Sequence, residues 1–184
     1  MTHTIRTVLA AALLLLAVPA LAADKVAERR YPLPDRGSFN MNVPAAWKDE
    51  VSQPPQAPPT IKYVPAAGQP FEILVTPLWR PRPDLPPPTK AMTREAVEQF
   101  VKSVQRDGVE GPFNIVEFQG KSGTGYYFLA TDKSAKAGDY KFLTQGMLVV
   151  SELAVGFTIL TNDNQARVVR DALAMLRSAV HVPK

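Results

Sequence analysis

Residues 139–161 read DYKFLTQGMLVVSELAVGFTILT, a stretch dominated by apolar and β-branched side chains. Strands in globular proteins usually run to about 3 to 10 residues, so a stretch of this length has to reverse direction. The reversal is expected at Ser151-Glu152, a polar pair between two apolar runs, although the pair lacks the Asn-Gly or Asp-Gly chemistry that most favours a tight hairpin. With side chains alternating across a strand, Tyr140, Phe142, Leu148 and Val150 then share one face, and Leu143, Met147 and Val149 the other. Both faces are apolar. A sheet of that kind needs cover on both sides, usually from helices, so the rest of the chain should supply at least two. Residues 125–131 have the same character, and together these segments predict a run of consecutive antiparallel strands.

The beginning of the sequence has a different composition. Arg6 precedes an unbroken apolar run over 8–18, and Ala20-Leu21-Ala22 fits the small-x-small rule for cleavage, so residues 1–22 are expected to be a secretory signal peptide. A spanning helix needs about 20 apolar residues, roughly twice what is present, so no membrane anchor is expected after cleavage. The remaining 162 of 184 residues suit one domain, expected over 38–184. With no cysteine, the chain can form neither a disulfide nor a lipidated cysteine at the cleavage site, and a periplasmic or secreted bacterial location fits best. The formal charge of +4 is small and scattered, which argues against a nucleic-acid partner.

Residues 23–37 are basic, contain Pro32 and Pro34 and lack an apolar period, so they read as a flexible leader. Phe39, Met41 and Val43 then alternate with polar residues as a first strand ended by Pro44, and Trp47 follows as a plug for one end of the core. PPQAPP over 54–59 can only be a loop, because each proline fixes φ and lacks an amide hydrogen. Residues 60–64 and 71–78 read as two strands, after which WRPRPDLPPP over 79–88 should run as an extended, polyproline-like surface segment. A helix is expected from a Thr93 cap to a left-handed stop at Gly108, burying Val97, Phe100, Val101 and Val104. A strand over 113–118 leads into the central meander. A second helix, capped from Asn162, Asp163 or Asn164, buries Val169, Leu173, Leu176 and Val180. The resulting fold class is α+β: an antiparallel sheet of about seven strands covered by two helices.

No reactive constellation accompanies these elements. After cleavage His181 is the remaining histidine, placed three residues from the C-terminus where fraying is expected, and one histidine without cysteine makes no typical zinc site. Gly120-Lys121-Ser122 imitates a phosphate-binding loop, but Ile115 stands where the first glycine belongs and a strand follows where a helix is required. Phe128 likewise replaces the third glycine of a dinucleotide fingerprint that would begin at Gly123. No cofactor is therefore expected. Asp132 with Asp139, and Asp49 with Glu50, are the acidic pairs that could hold a hard cation weakly, with solvated surface as the plainer reading.

The pattern Phe39-x-Met41-x-Val43-Pro44-x-x-Trp47, together with Gly125-Tyr126-Tyr127-Phe128 leading into the hairpin and the closing helix, resembles the PsbP-like family of α/β/α sandwich proteins over about residues 36–180. The resemblance implies a non-enzymatic assembly or accessory factor. Family members bind a photosynthetic complex or a small GTPase, and bacterial relatives are exported proteins. This chain differs in its proline-rich insertions and in having no lipidation cysteine. Three functions are carried forward. The first is an exported, non-catalytic periplasmic binding or accessory protein, engaging an envelope protein through a surface drawn from Trp79, Arg80, Arg82 and Trp47. The second is a carboxylate-based hydrolase, which needs two acids converging in one pocket. The third is a carrier of a small apolar ligand, which needs a cavity between sheet and helix lined by residues such as Phe100 and Leu176.

Overall fold

A computed structural model of the chain describes residues 25–184, apart from 56 and 83; the signal peptide expected over 1–22 lies outside the described residues. The architecture is α+β. Seven strands form one antiparallel sheet in the order β3-β4-β5-β9-β8-β7-β6, where β3 is Trp47–Ser52, β4 Thr60–Pro65, β5 Glu72–Leu78, β6 Val116–Gln119, β7 Thr124–Thr131, β8 Phe142–Val150 and β9 Leu153–Thr161. The long apolar stretch reverses where expected: Val150 pairs with Leu153 across a two-residue turn, and Ser151 takes the left-handed conformation there (φ 55°) without help from glycine.

A second, three-stranded sheet was not anticipated. It has the order β1-β2-β10, with β1 Val26–Leu33, β2 Gly37–Pro44 and β10 Val180–Val182. The segment expected as a flexible leader is therefore largely a strand, paired with β2 from Val26↔Pro44 to Leu33↔Gly37 and burying Tyr31 and Leu33. Pro32 does not prevent this, because β1 lies at an edge where a missing amide hydrogen breaks no ladder. On the other side of β2, His181 pairs with Phe39 instead of fraying. The strand expected around Phe39, Met41 and Val43 thus belongs to the small sheet. Its place in the large one is taken by β3, whose sole buried residue is Trp47, so that no alternation betrayed it.

The helices occupy opposite faces of the large sheet. Helix α1 (Lys90–Val104) lies over β7 and β8, where Val97 packs on Tyr126, Phe128 and Ala130. Its cap is Thr89, which accepts a hydrogen bond from Met92 N at 3.2 Å, while the expected cap, Thr93, is buried one turn inside. The helix begins as soon as the Pro86–Pro88 run ends, because the residue before a proline is held out of the helical region. Gly108 is not a left-handed stop either. It lies past the right-handed C-cap Gln105, donates to Val104 O at 3.1 Å, and leaves room for Phe113, whose ring would sit 2.5 Å from any Cβ.

Helix α2 (Ala166–Arg177) and the small sheet together cover the other face. Phe39, Met41 and Val43 from β2, Ile73 and Val75 from β5, Val155 and Ile159 from β9, and Leu176 from α2 are all at most 1% exposed there. Each such side chain gains about 1.5–3 kcal/mol from leaving water, which makes this face the thermodynamic centre of the molecule. Phe100 packs on the α1 side and Leu176 on the α2 side, so the cavity that was to be lined by both does not form.

Candidate functional site

Strand β5 delivers the chain to Trp79 at the rim of the large sheet. The turn between β1 and β2 carries Arg36 to the same place, its guanidinium 5.5 Å from the centroid of the half-buried Trp79 ring. A cation held over an indole face is worth about 0.5–1 kcal/mol at such a site. Arg80 donates to Leu85 O at 2.7 Å, and Leu85 N donates to Arg82 O at 3.3 Å. The proline-rich segment accordingly folds back over 82–85 and does not run extended as expected, because one guanidinium captures the carbonyl ahead of it. Arg80 also lies 3.6 Å from Glu152 in the β8–β9 turn, while Arg82 pairs with Asp84 at 3.6 Å, both largely exposed.

A cavity of about 230 Å³ opens between these groups, lined among others by Arg36, Trp79, Arg80, Glu152, His181 and Lys184. His181 donates from Nε2 to Arg36 O at 2.7 Å, which ties β10 to the turn that positions the cation over Trp79. Lys184 lies 3.6 Å from Asp35 on the outer rim. The site is therefore a half-buried aromatic surrounded by basic and acidic side chains that are already held in place by neighbours. Pro81, Arg82, Asp84, Pro86 and Pro87 stand exposed beside it.

Trp47 is not part of this surface. It is 7% exposed, with its ring centroid 5.1 Å from Phe71 and 6.4 Å from Tyr63, and so fills the end of the core. Phe71 precedes β5 and Trp79 follows it, which separates the two tryptophans by the length of that strand, roughly 23 Å at 3.3 Å per residue.

No protein-family model matches the sequence, and no curated protein matches it. Among solved structures, the solution structure of cyanobacterial PsbP (CyanoP) from Synechocystis sp. PCC 6803 superimposes with a TM-score of 0.55, at 10% sequence identity, covering 91% of this chain and 99% of that one. The fold is PsbP-like.

Arg36 and His181 are the members of the candidate site that sequence reasoning missed, since both fell in segments read as mobile. The signals were faint: Tyr31 and Leu33 at a spacing of two, and the β-branched pair Val180 and Val182 around His181. The acidic pairs are engaged separately. Asp49 forms an ion pair with Arg29 and accepts from Tyr31 Oη, whereas Glu50 pairs with Lys62 at 3.2 Å. Asp132 accepts from Ser134 N and Asp139 from Lys136 N, two local turns that shape the loop. Among the described residues, no group of three or more histidine or acidic side chains is placed to hold a metal ion, and no helix is long and apolar enough to cross a membrane.

Several ionisable groups are nonetheless displaced. Burial pushes the Tyr63 hydroxyl far up and keeps it neutral, and burial raises Tyr31 as well. Desolvation tends to raise Glu110, but the hydroxyl and amide hydrogen bonds from Thr131 outweigh it and hold the carboxyl below its ordinary value. Glu117 is lowered chiefly by its hydrogen bond from Lys90, which is raised in turn. The two carboxyls in this set are engaged separately, Glu110 by Thr131 and Glu117 by Lys90 and Tyr126.

Proposed function

We propose that this chain is an exported, non-catalytic binding or accessory protein of the PsbP-like type, and that it docks an envelope protein on the face formed by Trp79, Arg80 and Arg82 with Arg36. The observation that carries the reading is Trp79: an aromatic side chain left half-buried at the rim of the sheet, with the Arg36 guanidinium over its ring, and set beside a proline-rich segment. Interfaces draw most of their energy from a few tryptophan, tyrosine and arginine residues, and rigid anchors lose little entropy on binding. The mixed charges of Asp35, Glu152, Arg36 and Arg80 suit a polar protein rim better than a purely anionic polymer.

Affinity capture from envelope extract with the tagged mature protein tests this. The wild-type chain should enrich a partner that the Trp79→Ala, Arg82→Glu double variant loses by tenfold or more, with the variant's melting temperature within about 3 °C of wild type. An unchanged profile for that variant would overturn the assignment.

A further inference from the structure

Strand β1 ends the smaller sheet, and no strand among the described residues pairs with its outer edge. The direction of its backbone groups follows from the two ends of its ladder with β2. Leu33 O accepts from Arg36 N at 3.0 Å and Lys25 O from Ala45 N at 2.8 Å, so the odd-numbered residues between them turn their amides and carbonyls toward β2. Val26, Glu28 and Arg30 therefore turn theirs outward, together with the carbonyl of Pro32, whose missing amide hydrogen falls on the free edge. The side chains alternate as well. Tyr31 and Leu33 are buried in the core, whereas Val26, Glu28, Arg30 and Pro32 share the opposite face and are all exposed.

A free edge of this length is a template for another strand, and proteins usually blunt it with charges or a proline. Charges of one sign would serve that purpose against an identical copy. Glu28 and Arg30 instead have opposite signs, two residues apart on one face, and that arrangement is self-complementary. When two antiparallel copies are centred on Arg29, Glu28 of each stands opposite Arg30 of the other, and Val26 opposite Pro32. Centring on Glu28 or on Arg30 sets like charges against each other. The favoured register also matches the backbone: Glu28 and Arg30 of the two copies can exchange both hydrogen bonds, and the Val26 amide meets the Pro32 carbonyl, which leaves the missing hydrogen at the end of the ladder. The side chains are available for this. Arg30 enters no ion pair among the described residues, and Glu28 only accepts from Asn40 Nδ2 at 3.3 Å. Val26 is 60% exposed, and the facing Pro32 ring would cover it. Arg29, which meets its counterpart on the axis, lies on the other face, where it is ion-paired with Asp49 and donates to Trp47 O at 2.8 Å.

We propose that β1 pairs with β1 of a second copy of this chain, antiparallel about a two-fold axis at Arg29, with Glu28 and Arg30 of each copy ion-paired to Arg30 and Glu28 of the other. The smaller sheets of the two molecules then join into one, and the edge is closed by the interface. Val26, Glu28, Arg30 and Pro32 are not part of the Trp79 face, and the inference does not rest on it.

Sedimentation equilibrium of the mature protein tests this. The wild-type chain should show a reversible monomer–dimer equilibrium that salt weakens. Glu28→Arg and Arg30→Glu should each weaken self-association at least about tenfold, since either change turns both attractive couples into repulsive ones. An equimolar mixture of the two variants should associate again, because one then presents two positive charges to two negative ones, and the doubly reversed Glu28→Arg, Arg30→Glu chain should dimerise like wild type. Both positions are exposed, so melting temperatures within about 3 °C of wild type should show that the fold is kept. In amide hydrogen exchange, Glu28 and Arg30 should become protected as concentration rises, while Arg29 and Tyr31 are protected throughout. A wild-type chain that stays monomeric up to about 0.5 mM would overturn the proposal and leave the edge to a different protein. A dimer indifferent to Arg30→Glu, or a mixture of the single variants that stays monomeric, would overturn it as well. So would protection of the Glu28 and Arg30 amides in the monomer, which would mean that another stretch of the same chain covers the edge.

Discussion

Gly37 is constrained twice over. Its φ of 83° lies in the left-handed region, and a Cβ built there would meet Val182 O at 2.0 Å, so any side chain both strains the β1–β2 turn and pushes β10 off β2. Gly37→Ala should therefore cost more than the 1 to 2 kcal/mol of backbone strain alone, roughly 2–4 kcal/mol in total, measured by urea unfolding. Glu110 makes a different prediction. Because its folded-state carboxyl titrates below the ordinary 4.5, its contribution to stability is present above that value and is lost as pH falls through the lower, folded value. Glu110→Gln should be less stable than wild type at pH 7 by about 1 kcal/mol, and the difference should shrink below pH 4.5, as followed by thermal melts across the acid range.

At the scale of elements, what was legible in the sequence was whatever had a strong period. The β8–β9 hairpin, the α1 stripe at Val97 and the α2 stripe at Leu173 and Leu176 each bury one clean face, and each is where the pattern puts it. Elements held by a single side chain or by pairing alone were not legible: β3 buries only Trp47, and β10 buries nothing fully. Helix boundaries failed for a related reason, since Thr89 and Thr93 are equally good caps on paper and the choice is made by Thr93 being needed inside. The candidate site was half visible. Trp79, Arg80 and Arg82 stood out by residue type, whereas Arg36 and His181 reach the site only because β1 and β10 exist. The α2 stripe is the better test of this division: Leu176→Ala should cost about 2–5 kcal/mol, read from denaturant midpoints at unchanged slope. Thr89→Ala at the α1 cap should cost nearer 1 kcal/mol.

If the chain is exported as proposed, N-terminal sequencing of the protein recovered from periplasm should begin at Ala23.

Strand β2 has β1 on one side and β10 on the other, and the residues that meet across the second boundary, such as Asn40 and Val180, are separated by most of the chain. Closing so long a loop is slow compared with local pairing. During synthesis β2 can hold only one neighbour until residues 180–182 arrive, so full cooperativity is a late event. A chain with that wiring completes its smaller sheet only once residues 180–182 are in place.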